Sequence, residues 1–177
     1  MSLSVKFAAP ATLSAVPLVY GLRTANTLAV EVALLPQDEI ALALAEGRVD
    51  VALLSSDVAR TISGVKIVTD FCVASAEKGG SLSLADEWGV SPDVPVYGVL
   101  LAREDTPLDV LDEIEKSLTT GVERIYEALL SQAECPKIED YNYLTTTVDY
   151  LFDAKKHTAL EAHWKKCKKA ASHANPG

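Results

Sequence analysis

The feature that most constrains this 177-residue chain is Val49-Asp50-Val51-Ala52-Leu53-Leu54, a continuous apolar run interrupted by a single aspartate. A strand with one wet face alternates polar with apolar residues. A run that is apolar at both parities must be covered on both faces, as happens when helices layer a parallel sheet. The flanking sequence supplies those helices. Val5 to Ala9 and Leu28 to Leu35 read as strands, and Pro17 fits the first turn of a helix over 17–25, where its missing N–H costs nothing. Pro36 repeats the device, with Asp38 and Glu39 at the positive end of a helix over 36–46 and Gly47 as its stop. The chain therefore reads βαβαβ through residue 56.

Val65 to Ala74 and Val94 to Ala102 are further strand candidates, separated by the turn signal Lys78-Gly79-Gly80 and a polar connection from Ala85 to Asp93. Beyond them, Thr106, Pro107 and Asp109 open a helix over 107–131. Its apolar residues, Leu108, Leu111, Ile114, Leu118, Val122, Ile125 and Leu129, recur every three or four positions. Two more helices are expected around Ile138 to Tyr150 and Ala154 to Ala170. The expectation is one α/β domain over 1–177, with a mostly parallel sheet of about five strands. Its sheet and crossover helices occupy 5–103, its C-terminal helices 104–170, and a flexible tail 171–177. At this length roughly 70% of the unfolded surface is buried, enough for one core.

Charge and cysteine usage exclude several function classes. Sixteen Lys and Arg against 25 Asp and Glu give a net charge of −9, which opposes phosphate neutralisation, so nucleic acid is not an expected partner. With 49% apolar and 23% charged residues the chain is too hydrophobic for disorder and too interrupted for a membrane span. Cys72, Cys135 and Cys167 are an odd set without a Cys-x-x-Cys pair, which fits a reducing, cytoplasmic setting. His163 and Cys167 share a helix face at i and i+4, but two ligands do not make a zinc site, so no metal is assigned. The six lysines from Lys155 onward read as a solvated face, and Trp88 as packing rather than a ligand platform.

No phosphate loop, Gly-x-Gly-x-x-Gly, His-Glu-x-x-His or Gly-x-Ser-x-Gly is present, so no cofactor is expected and motif reading alone names no reaction. Position is more informative, because α/β sheets bind ligands beyond the carboxyl ends of their strands. Two polar segments fall there. Thr12 and Ser14 follow the first strand, and Ser55 and Ser56 follow the third; on topology the four would converge on one pocket for a small carboxylate. Ordinary turn and cap chemistry accounts for the same residues.

Several segments resemble one family: Leu13-Ser14-Ala15-Val16-Pro17-Leu18-Val19-Tyr20-Gly21-Leu22, then Val49 to Ser56, and Asp70-Phe71-Cys72-Val73-Ala74. Glu87-Trp88, Pro95 to Arg103, Ser117-Leu118-Thr119-Thr120-Gly121, Tyr143-Leu144 and Val148-Asp149-Tyr150 continue the resemblance, with Lys155-Lys156 closing it. The family is that of menaquinone biosynthesis by the futalosine route, which includes chorismate dehydratase and the dihydroxynaphthoate synthase. The resemblance implies one lobe of a type II periplasmic-binding-protein-like fold.

Two departures bear on function. The second lobe, about a hundred residues by typical domain size, would be inserted after Ser75 to Leu84, yet the chain passes almost directly to Trp88. Ser14 also stands where the dehydratases carry asparagine, replacing an amide that both donates and accepts by a shorter hydroxyl. The expectation is a one-lobed relative that binds a small aromatic or dicarboxylate metabolite without efficient turnover. The alternatives are a chorismate dehydratase, a hydro-lyase acting without a cofactor, and a homo-oligomeric structural protein. A homodimer, or a partner supplying the missing lobe, would cover the face near Ser55, Gly79 and Trp88.

Overall fold

A computed structural model describes residues 3–174 of the chain. Its six strands are β1 (Leu3–Ala9), β2 (Leu28–Leu34), β3 (Val51–Ser55), β4 (Val65–Ser75), β5 (Gly98–Arg103) and β6 (Val148–Leu151). They form one sheet in the order β2-β1-β3-β5-β4-β6. β1 pairs in parallel with β2 and β3, whereas β5 runs antiparallel to β3, β4 to β5, and β6 to β4. β1 to β4 therefore share one direction and β5 and β6 oppose it. The sheet is parallel on one side of β3 and antiparallel on the other, and strand β6 extends it beyond the five expected.

The apolar run that anchored the sequence reading is central strand β3, buried at all five positions. Alternation sorts its side chains between two cores. Val51 and Leu53 pack with Phe7, Leu18, Leu22, Ile114 and Leu118 on one face; Ala52 and Leu54 pack with Ile40, Leu44, Phe152 and Leu160 on the other. The first face is covered by α1 (Val16–Arg23) and α5 (Leu108–Glu123), the second by α2 (Gln37–Ala45) and α8 (Ala154–Ala174). No described helix is long and apolar enough to cross a membrane.

Three stretches differ from the sequence expectation. The connection expected from Ala85 to Asp93 is helical as far as Trp88, in α4 (Leu82–Trp88), whose N-terminus is capped by Ser81 Oγ accepting from Leu84 N at 3.3 Å and whose end is turned by Gly89 at φ 64°. The single helix expected over 107–131 breaks at Arg124 (φ −125°, ψ 50°) into α5 and α6 (Ile125–Leu130). A one-residue interruption leaves the apolar period intact on both sides, so periodicity cannot detect it. The helix expected over 138–150 is only α7 (Ile138–Asn142), followed by a π-turn and then β6. Leu144 and Val148 satisfy helical spacing, but Val148 and Tyr150 are the buried pair, which is the period of a strand. Of the tail expected at 171–177, residues 171–174 continue α8, while 175–177 lie outside the described residues.

α4 also bears on the face that a second copy or a partner was expected to cover. Trp88 lies across β5, so close that a Cβ on Gly98 would sit 2.9 Å from its ring. Trp88 and Ser55 are both buried within the chain, which covers these two positions itself, and Gly79 alone of the three is exposed.

Candidate functional site

Beyond the carboxyl ends of β1 and β2, a cavity of about 330 Å³ opens between α1 and the α6–α7 connection. Its walls are mostly apolar, with Val16 and Val19 of α1, Leu34 ending β2, and Leu129 of α6. Its polar groups are Thr12, Arg23 from the last turn of α1, Gln132, Lys137 and Asp140. Thr12 Oγ1 is buried and has no hydrogen-bond partner among the described residues. Among those residues neither Arg23 nor Lys137 forms an ion pair. Buried polar atoms are nearly always paired, so an unspent hydroxyl beside two unspent cations suits an anionic oxygen.

A second, more open depression adjoins the first, sharing Ala11, Thr12, Leu13 and Asp140 with it and adding Ser83, Glu87 and Tyr143. The two differ in charge. Asp140 is common to both, but Arg23 and Lys137 line only the first and Glu87 only the second, so a ligand spanning both would place its anionic end toward Arg23 and Lys137 and an uncharged polar end toward Glu87.

Between the depression and the sheet lies a polar network centred on Ser14. Ser14 Oγ accepts from Trp88 Nε1 at 2.9 Å and donates to Glu87 Oε1 at 3.3 Å, while Ser14 N donates to the same carboxylate oxygen at 3.1 Å. Tyr143 Oη donates to Glu87 Oε2, and Tyr150 Oη donates to the Ser14 carbonyl at 2.7 Å. Burial pushes both phenols upward from the ordinary tyrosine range, and the Glu87 charge adds to the effect. Tyr143 and Tyr150 thus stay protonated donors.

Of the four hydroxyl residues expected to converge, Thr12 alone lines a cavity. Ser14, Ser55 and Ser56 are 0%, 2% and 0% exposed, and their hydroxyls are spent inside the protein. Ser55 Oγ caps α3 (Ser56–Ala59) by accepting from Val58 N at 3.3 Å, and Ser55 N donates to Gln37 Oε1 at 3.0 Å. Ser56 Oγ donates to the Val96 carbonyl at 2.6 Å. The strand order does bring the two segments to neighbouring strand ends, but a helix cap takes the Ser55 hydroxyl and long-range hydrogen bonds to Trp88, Glu87 and Val96 take those of Ser14 and Ser56. Sequence reasoning missed Arg23 and Lys137 as site residues. Arg23 was reachable, since it shares one face of the expected helix with Val16 and Val19 at three- and four-residue spacing, whereas Lys137 is brought in only by the α6–α7 connection.

No family model matches the chain, and no curated protein matches it in sequence. Solved structures do match. Protein AF1704 from Archaeoglobus fulgidus superposes with a TM-score of 0.66 at 10% identity, over 94% of this chain and 98% of that one. The Candida albicans CA3427 gene product, described as exhibiting the generic periplasmic binding protein structural fold, matches with a TM-score of 0.59 at 13% identity, over 90% of this chain and 89% of that one. An ABC transporter from Parabacteroides distasonis matches with a TM-score of 0.55 at 10% identity, over 90% of each chain. At these identities the likeness establishes the fold, which is periplasmic-binding-protein-like.

Proposed function

We propose that this chain is a one-lobed relative of the futalosine-route menaquinone-biosynthesis family that binds a small aromatic or dicarboxylate metabolite in the cytoplasm without efficient turnover. The observation that carries the reading is the unpartnered, buried Thr12 hydroxyl in an apolar cavity beside Arg23 and Lys137. An apolar body and an anionic end are what such a lining recognises. The family assignment draws support from the Ser14 network. It joins the separate segments that carry the resemblance, Ser14, Glu87-Trp88, Tyr143 and Tyr150, into one hydrogen-bonded unit. The low turnover follows from the open site, since a single lobe does not exclude the water that competes with positioned elimination chemistry.

Differential scanning fluorimetry with chorismate, its dehydration product and naphthoates tests the reading. A ligand at a hundredfold its dissociation constant adds about 2.7 kcal/mol to stability. Thr12→Val and Arg23→Gln should each weaken the shift, by about 1–3 kcal/mol of binding per lost charge-assisted hydrogen bond. No shift with any of the three ligand classes, or shifts unchanged in both variants, overturns the assignment. Product accumulating at catalytic rates from chorismate replaces it with the dehydratase.

A further inference from the structure

On the opposite face of the sheet from α1, α8 presents an inward stripe that is not the solvated surface its six lysines suggest. Leu160 is buried and Trp164 partly buried in the core beside Ile40 and Leu54. His163 and Cys167 are half-buried at the same edge, while Lys165, Lys166 and Lys168 are exposed. The stripe is anchored by packing, so the position of His163 and Cys167 is fixed by the core.

A third side chain meets them. Asp57 stands in the first turn of α3, immediately beyond the carboxyl end of β3. Its Oδ1 is 3.7 Å from His163 Nε2, and Cys167 Sγ is 3.6 Å from the same nitrogen. The three donor atoms lie within 4.8 Å of one another.

Two simpler readings of this cluster fail on geometry. A thiol–imidazole–carboxylate relay requires the thiol and the carboxylate on different ring nitrogens, so that the imidazole passes a proton between them. Here both address Nε2. An ion pair between Asp57 and a protonated His163 would leave the carboxylate and the sulfur sharing a single Nε2–H, at 3.7 Å and 3.6 Å. A tetrahedral ion with ordinary Zn–S, Zn–N and Zn–O bonds separates sulfur from nitrogen by about 3.6 Å and nitrogen from oxygen by about 3.4 Å. The observed sulfur–nitrogen and nitrogen–oxygen separations, 3.6 and 3.7 Å, are within a few tenths of an ångström of these.

We propose that Asp57, His163 and Cys167 form a binding site for zinc(II). The donor set selects the ion: one thiolate, one imidazole and one carboxylate suit a borderline divalent metal, whereas magnesium and calcium require cages of oxygen. On binding, the Cys167 thiol loses its proton to solvent and a sulfur–metal bond forms. His163 coordinates through its neutral Nε2 and keeps a proton on Nδ1, and Asp57 supplies an oxygen. The two anionic ligands balance the charge of the ion, so the half-buried complex is neutral. Three protein ligands leave the fourth position to water or an incoming donor. Zinc at this site ties the C-terminal helix to the strand end of β3, using none of the residues that line the cavity near Thr12.

The test is titration of the full-length, reduced protein with cobalt(II) and then zinc(II). The expected result is one equivalent of cobalt giving tetrahedral d–d absorbance and a sulfur-to-metal charge-transfer band, both abolished by one equivalent of zinc. Cys167→Ser should remove the charge-transfer band. His163→Ala and Asp57→Asn should weaken zinc binding by about a hundredfold or more, since even changes outside the ligand shell cost 10- to 100-fold. Cys135→Ser, whose thiol lines the cavity near Thr12 and not this cluster, should leave the cobalt spectrum and the zinc affinity as they are. Far-ultraviolet circular dichroism confirms that each variant is folded, and thermal unfolding reads zinc stabilisation independently of the absorbance. A band that survives Cys167→Ser, a band lost in Cys135→Ser, or zinc affinity unchanged in both His163→Ala and Asp57→Asn overturns the proposal, as does the absence of stoichiometric binding.

Discussion

Trp88 Nε1 donates to Ser14 Oγ across 2.9 Å, joining residues 74 positions apart. The indole is buried beneath α4 and has this one hydroxyl as its partner, while the hydroxyl passes its own proton toward Glu87. Replacing Ser14 by alanine removes the acceptor and leaves the indole N–H buried and unpaired. We expect Ser14→Ala to destabilise the fold by about 1–3 kcal/mol, measured by urea unfolding. Affinity at the cavity is then reduced only through loss of folded protein. A variant as stable as the parent would show that Ser14 is not the structural hub described.

The crossing of α1 and α5 gives a second expectation. A Cβ on Gly21 would lie 2.2 Å from the Ser117 carbonyl oxygen, and one on Gly121 would lie 2.1 Å from the Pro17 carbonyl oxygen. Both obstacles are backbone, so no side-chain rotation relieves them. Gly21→Ala and Gly121→Ala should each cost about 1–3 kcal/mol or more by forcing the helices apart. The double variant should cost less than the sum, because the first separation makes room for the second methyl. Urea midpoints of the three variants check this, and full additivity would refute the shared-contact argument.

Much of this arrangement was legible because it rests on local signals. Pro17, Pro36 and Gly47 punctuate helices where they were expected, and the run at Val49 to Leu54 supplies, from Val51 on, the doubly covered central strand. The β5–β4–β6 half was not legible as antiparallel, since period and burial are the same for a buried strand in either direction. The site was half legible. Strand order placed Thr12 and Ser14 near Ser55 and Ser56, and cap chemistry accounted for Ser55 on Val58, but nothing local reveals that Trp88 and Val96 would take the hydroxyls of Ser14 and Ser56. Likewise, His163 and Cys167 could be paired from helical spacing, while Asp57 arrives only through the packing of α8 on the sheet.

Alkaline pH should weaken the fold through two buried groups. Burial raises the Cys72 thiol far above the ordinary range, with Lys156 opposing only in part, and raises Tyr150 as well, aided by the Glu87 charge. A raised pKa means that the native state holds its proton where the unfolded chain releases it. The stability is therefore complete below the unfolded pKa, about 8.5 for cysteine and about 10 for tyrosine, and is lost as pH rises further. Each group contributes a slope of about 1.4 kcal/mol per pH unit. Urea unfolding between pH 7 and 11 should show a decline beginning near 8.5 that steepens near 10. Cys72→Ala should remove the earlier part, and parallel profiles for variant and parent would refute the assignment.

Thiol chemistry can separate the two proposed sites in one experiment. Cys135 is exposed and lines the cavity, Cys167 is half-buried in the zinc cluster, and Cys72 is buried in the core. In the apo protein an alkylating reagent should therefore modify Cys135 fastest, Cys167 more slowly, and Cys72 only on unfolding. A metabolite seated against Thr12 and Arg23 occludes Cys135, slowing its modification by the factor 1 + [L]/Kd, about a hundredfold at a hundred times the dissociation constant. It leaves Cys167 untouched. Zinc does the reverse, because a coordinated thiolate is withdrawn from the reagent while Cys135 stays open. Mass spectrometry of peptides labelled with chorismate or naphthoate present, and then with zinc present, reads both patterns. Protection of Cys135 by the metabolite with no zinc effect at Cys167 would leave the cavity assignment standing and remove the metal site, and the opposite pattern would remove the cavity assignment alone.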